Sequence, residues 1–254
     1  MTLSLHSLAP WKASGLHLAL SVLVALTVVL LVLALWYPRP YFQAMGGETL
    51  LRLLIGVDVV LGPFITLLIF DPRKPSLKWD LAVIGVLQVA ALAYGGYVMF
   101  QARPVYSVFS VDRFEIAAAN TVDDESRAKA APEFRELPLS GPRVVAARVP
   151  SDPKEASSVT FGAVMGGPDL VDLPHLYVPY AEVTADVARA ARPLERLASR
   201  GATEEATVRA FVESSGRSEA SLGYVPARAR NRDFAVIVDR RTGAIAGYIP
   251  VNPW

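Results

Sequence analysis

The 254-residue chain contains no cysteine and only three histidines. Without thiols there can be no disulfide and no thiolate nucleophile or metal ligand, although exported domains often manage without bridges, so the compartment stays open. A Gly-x-Ser-x-Gly elbow, a P-loop and a His-Glu-x-x-His run are all missing, and His175 is the one histidine beyond the first hundred residues. An excess of charge is missing too: 25 Lys and Arg face 24 Asp and Glu. That balance gives no basic field to hold nucleic acid. The sequence therefore nominates no catalytic residue, no metal site and no cofactor, and a protein that is not an enzyme is expected.

What is abundant is apolar surface. Hydrophobic residues make up 52% of the chain, too many for an ordinary soluble protein, and they crowd into the first hundred positions. Three runs, about 15–36, 48–70 and 79–100, each approach the roughly 20 residues that cross a hydrocarbon core. The first could pass as a signal peptide cleaved after Val32-Leu33-Ala34, but it is long for that role and ends in an interfacial Trp36-Tyr37-Pro38, so a retained anchor is expected. The second and third runs are joined by the tight turn Asp71-Pro72-Arg73-Lys74-Pro75-Ser76-Leu77-Lys78 and must form an antiparallel hairpin.

Short loops rich in Lys and Arg stay on the cytoplasmic side. Arg73, Lys74 and Lys78 then lie inside, Lys12 agrees, and the loop after the first run offers only Arg39. Three crossings from a cytoplasmic N-terminus carry everything beyond about Gln101 to the far side, the periplasm in a bacterium. Residues 1–103 are thus read as a membrane domain and 104–254 as a periplasmic α+β domain with an antiparallel sheet.

Asp58 falls near the middle of the second run, where an ionised carboxylate is costly, so it should be protonated, paired or turned toward protein. Gly62-Pro63 lies one helical turn on, on the same face, and brings a backbone gap and a kink. Gln88 in the third run sits at a similar depth, and a protonated Asp58 could donate to its amide oxygen for about 1 kcal/mol. Two roles for Asp58 stay open, glue between the second and third helices and recognition of another transmembrane segment. Arg52 is read as an interfacial anchor, His17 and Asp80 as helix-end residues without a task, and Ala91 with Gly95 as a small-residue patch for close helix packing.

Beyond the membrane runs, strands are expected at 104–111, 143–149 and in a hairpin over 233–249, with helices at 121–131 and 153–165 and a helical hairpin over 184–212. The final Trp254 is expected to close a core.

The segment from Gly56 to Thr66, the turn Phe70-Asp71-Pro72-Arg73-Lys74, the run from Asp80 to Gly95 and Arg103-Pro104-Val105-Tyr106 together resemble the TfpX/TfpZ family of type IV pilin accessory proteins, as does the Tyr-Ile-Pro-Val-Asn-Pro-Trp ending. The resemblance implies an inner-membrane accessory or assembly chaperone whose partners are the major type IV pilin and other pilus assembly proteins, with a homo-oligomer left open. Asp58, Gly62, Pro63 and Gln88 are then candidate contacts for the pilin helix, and Arg73 and Lys74 for the carboxylate that such helices carry near their cytoplasmic end. A membrane-anchored periplasmic sensor or ligand-binding protein is the alternative.

Overall fold

The computed structural model describes residues 9–254, which form two compact units. The helical unit comprises residues up to 34 and 47–101; the sheet unit comprises 35–46 and 102–254.

Three helices in the first unit are long and apolar enough to cross a membrane: Pro10–Trp36, Gly47–Ile69 and Leu77–Gln101. Pro10 occupies the first turn of the first helix, where its missing N–H costs nothing, and Pro38 follows its end. The last turn of that helix, Val32–Trp36, and the middle of the second, Gly56–Leu61, are wound as π-helix. Leu20, Leu30, Leu53, Leu68, Val86 and Val89 are each at least 60% exposed, so these helices bury little of their apolar surface against one another. That is the pattern of helices whose outer faces meet lipid. The second helix is the most buried of the three, and the first and third pack mainly on it.

In the sheet unit, strands β1 (Pro104–Ser110), β2 (Arg113–Ala118), β3 (Arg143–Ala147), β4 (Tyr177–Pro179), β5 (Arg192–Pro193), β6 (Leu222–Arg228), β7 (Phe234–Asp239) and β8 (Ile245–Ile249) build one sheet ordered β4-β3-β1-β2-β6-β7-β8, with β5 also on β6. The expected antiparallel sheet is corrected to a mixed one: β1 runs parallel to β3 and β2 parallel to β6, while the other pairs are antiparallel. Hairpins announce themselves by a turn between adjacent strands, whereas parallel partners meet only after long crossovers that leave no local mark.

Four strands were not anticipated, β2, β4, β5 and β6. Pro226 argues against a central strand, yet on one side of β6 the pairing is split, with β5 at Tyr224 and Gly223 and β2 at Ala227 and Arg228. Pro226 sits between the two, where a missing N–H breaks no ladder. The helical hairpin expected over 184–212 is corrected as well. The helix Thr184–Ala190 stops before Pro193, the chain passes through β5 and a single turn at Glu195–Ala198, and the helix Ala202–Ser215 follows. Proline pushes the residue before it out of helical geometry, and β6 captures the extended pair.

Alternation along β7 divides the core. Phe234, Val236 and Val238 face one side, with Phe109, Phe114, Val225 and Val187. Ala235 and Ile237 face the other, against Leu197 and Val208, and Tyr106, Val145 and Phe134 continue that side at the far end of the sheet. The first side is completed by a segment far away in sequence. The turn Tyr41–Ala44 buries Tyr41 at 3% exposure, edge-on to Phe234 at 5.6 Å and Tyr248 at 5.8 Å. Backbone bonds secure it: the Ala44 carbonyl accepts from Asn231 N at 2.8 Å and Arg232 N at 3.2 Å, and Asn231 Nδ2 donates to the Gln43 carbonyl at 3.2 Å. Gly46, at φ +78°, gives the chain the left-handed residue on which it leaves the sheet. The hydropathy division at 103 puts residues 35–46 with the helices, because a short loop carrying one charge shows no sign of tertiary burial.

Removing the Tyr41 ring should destabilise the sheet unit by about 3 kcal/mol in the full chain in detergent, by the cost of emptying a core aromatic site. Burial drives the hydroxyl pKa above its usual value, and that hydroxyl has no hydrogen bond of good geometry. Tyr41→Phe should therefore cost little. Pulse proteolysis in urea distinguishes the variants, and equal stability of Tyr41→Ala and wild type would refute the role of the turn.

Candidate functional site

A proline within a helix withholds an N–H from the carbonyls a turn before it, and in an apolar setting those carbonyls need another donor. Pro63 does this to the turn that holds Asp58, where the second helix widens into its π segment. Gln88 on the third helix answers it. Its Nε2 donates to the Asp58 carbonyl at 3.2 Å and to Asp58 Oδ1 at 3.0 Å. The direction differs from the donation by Asp58 that its depth suggests: the amide nitrogen gives and the carboxyl accepts, so the bond does not require the carboxyl proton.

Gly62 makes the approach possible. A Cβ there would stand 1.9 Å from Gln88 Nε2 and 2.7 Å from its Cδ. Gly95 on the third helix is used likewise, since a Cβ would stand 2.5 Å from Leu54 Cδ1. The small-residue patch therefore serves packing of the second helix on the third.

The structure brings Asp58, Gly62 and Gln88 together and turns Pro63 toward the first helix. The Pro63 carbonyl accepts from Ser14 Oγ at 2.9 Å, and one turn on Thr66 Oγ1 lies 2.6 Å from His17 Nδ1. Ser14, His17 and the buried Ser21 form a polar stripe on the first helix. Its spacing of three and four residues was visible, but each residue alone read as a tolerated polar side chain; the partner strip on the second helix gives it meaning. At the hairpin turn Lys74 Nζ pairs with Asp80 Oδ2 at 2.6 Å, while Arg73 is exposed and makes no ion pair among the described residues. Asp80 thus anchors the turn in addition to facing the helix dipole.

Two clefts open beside the Asp58–Gln88 seam. One of about 650 Å³ runs along Leu61, Gly62, Ile65 and Val83 and ends at Lys74 and Asp80; one of about 280 Å³ lies on Leu50, Leu53, Leu92 and Tyr94. Gln88 lines both. Their walls are apolar, and the polar groups they offer suit a side-chain amide, hydroxyl or carboxyl of an apolar segment. No cluster of metal-ligating residues occurs among the described residues.

Trp254, expected in a core, is 40% exposed. Its Nε1 donates to Asp233 Oδ2 at 2.6 Å and its ring is flanked by the guanidinium groups of Arg113 and Arg192 at 5.4 and 5.9 Å. The indole finds its polar partner at the surface, which holds it there.

Comparison with known proteins adds the following. The family described as "Fimbrial assembly protein FimB" matches residues 8–46. Two fimbrial assembly proteins of Dichelobacter nodosus, from serogroups E1 and I, are each 30% identical over 233 residues, covering 90% of both chains. A third, from serogroups C1 and C2, is 36% identical over 113 residues, covering 44% of this chain and 86% of its own. No solved structure matches.

Gly62→Ala should push Gln88 aside and lower the amount of folded protein. Gln88→Ala should restore it, because the smaller side chain makes room for the methyl group. Additive losses in this double-mutant cycle would show that the two residues do not touch.

Proposed function

Because the chain belongs to the family of fimbrial assembly proteins, we propose that it is an inner-membrane accessory of type IV pilus assembly, of the narrower TfpX/TfpZ kind, that holds the major pilin by its membrane helix before incorporation. A role in pilus biogenesis follows from the full-length likeness to the Dichelobacter nodosus proteins. The finer reading rests on one observation, the 650 Å³ apolar cleft with Asp58's partner Gln88 on its wall and a basic turn at its end. A pilin helix is apolar along its length, so an apolar cleft of this kind offers it packing, and the Asp58–Gln88 seam offers a hydrogen bond at one depth, which fixes register.

In this reading the three helices span the inner membrane with the N-terminus cytoplasmic and the sheet unit periplasmic, from the basic residues of the 71–78 turn. Reporter fusions after Arg103 should be active only with a periplasmic reporter; a cytoplasmic reporter active there would reverse the topology.

A pilin carboxylate near the cytoplasmic end of its helix then meets the turn. Lys74 is already engaged by Asp80, so Arg73 is the more available cation. Asp58→Asn should be mild and Asp58→Leu should reduce pilin crosslinking while the protein stays inserted and abundant. Loss of abundance before loss of crosslinking would assign Asp58 to helix packing alone. Arg73→Glu should weaken crosslinking more than Lys74→Glu. Wild-type crosslinking and surface piliation in Asp58→Leu and Arg73→Glu together would remove these residues from the contact.

A further inference from the structure

The helix Pro153–Val164 is stabilised at its ends. Asp152 Oδ1 accepts from Lys154 N at 3.0 Å, Pro153 starts the first turn, and Gly167 N closes the last turn on the Gly162 carbonyl at 2.8 Å, with Gly166 at φ +87°. Yet no residue of this helix is buried. Ala156, Val159 and Ala163, spaced along its inner face, are half-buried and form one wall of a groove of about 460 Å³. The opposite wall is the β1–β2 turn with Val149, Leu170 and Val171. Of the residues that line it, Val111 is 74% exposed, Val149 56% and Val164 78%. Three valines left in water along one groove are of the kind that mark an interaction surface.

The charge inside the groove states what that molecule carries. Glu115 lines it, half buried, and its carboxylate makes no hydrogen bond or ion pair within 4 Å among the described residues. Burial raises its pKa, Asp169 adds to the rise, and Arg228 and Arg113 only partly oppose it. Asp169 lines the groove too. The one cation on the wall, Arg113, is engaged elsewhere, by Asp112 Oδ1 at 2.9 Å and the ring of Trp254. Arg228 stands opposite Glu115 in the β2–β6 register but makes no ion pair with it within 4 Å, and a half-buried carboxylate left so, among apolar walls, is complementary to a basic side chain flanked by apolar ones.

From this juxtaposition we propose that the groove between the helix Pro153–Val164 and the β1–β2 turn is a docking site for a polypeptide segment bearing a lysine or arginine between apolar residues, with Glu115 as the counter-ion. The carboxylates disfavour the alternative occupant, an anionic lipid surface. Val111 supports the same reading from the backbone. It sits at φ +57°, a conformation unfavourable for a β-branched residue, which sets an apolar side chain at the groove where glycine would relieve the turn. The inference does not rest on the pilin reading of the helical unit.

The test uses the full chain in nanodiscs and nine-residue fluorescein-labelled peptides, apolar at alternate positions, whose central residue is lysine, glutamine or glutamate. The lysine peptide should bind about tenfold more tightly than the other two, an ion pair of ordinary size in a partly buried site. Glu115→Gln should erase that preference, and it keeps the fold because the carboxylate has no partner to lose. Val164→Ser and Val111→Gly, at exposed positions, should weaken all three peptides. Equal binding of the three peptides, or binding of none, overturns the proposal. Two further outcomes do the same: sedimentation showing a dimer that Val164→Ser dissolves would give the face to a second copy, and quenching of Phe161→Trp fluorescence by brominated lipid would give it to the bilayer.

Discussion

The ring of Tyr41, held between Phe234 and Tyr248, is the contact on which the order of the rest depends. The turn from the connection between the first two apolar helices shares one face of the sheet with Val187 of the helix Thr184–Ala190. The backbone therefore passes between the units at 34–35, 46–47 and 101–102, and the sheet's core is finished only when residues 35–46 have joined it. Burial of one aromatic ring makes the connecting loop part of a hydrophobic core. The family match over residues 8–46 spans this same stretch, from the first helix through the buried turn.

A second constraint acts within the helices. In an apolar surrounding each backbone carbonyl and each polar side chain needs a partner from the protein. Pro63 breaks that condition and Gln88 restores it, at the position where Gly62 leaves room. Ser14 and His17 perform the same service from the first helix, on the Pro63 carbonyl and Thr66. The second helix, interrupted at its middle, is thus held from both sides by side chains, which accounts for its being the most buried of the three. The same interruption leaves clefts beside the seam, so the device that repairs the helix also sets polar groups in their walls.

The sheet unit shows the opposite arrangement in the helix Pro153–Val164, which is complete in its caps and incomplete in its packing. Caps make a helix stable locally, and a helix stable without burial can stand off the sheet and leave a groove. The two units offer different chemistry: apolar clefts with a hydrogen-bonded Asp58–Gln88 seam in one, a groove with a carboxylate that makes no ion pair within 4 Å in the other.

What sequence determined was whatever has a local signature. The three apolar helices, the basic turn between two of them and the β7–β8 hairpin follow from run length, charge and alternation, and the helix Pro153–Val164 from Pro153 at its start and Gly166-Gly167-Pro168 after its end. Asp58 stood out because a carboxyl in the middle of an apolar run is costly, and Gln88 because it shares that depth. Tertiary structure decided the rest. The parallel pairings of β1 with β3 and of β2 with β6 join segments whose separation carries no pattern, and Pro226 is tolerated only because β5 and β2 divide one side of β6 between them. Tyr41 in the core, the polar stripe of Ser14 and His17 and the unpaired Glu115 were invisible for the same reason. Each depends on what lies opposite a side chain in space, and the sequence, which orders residues along one line, does not record that.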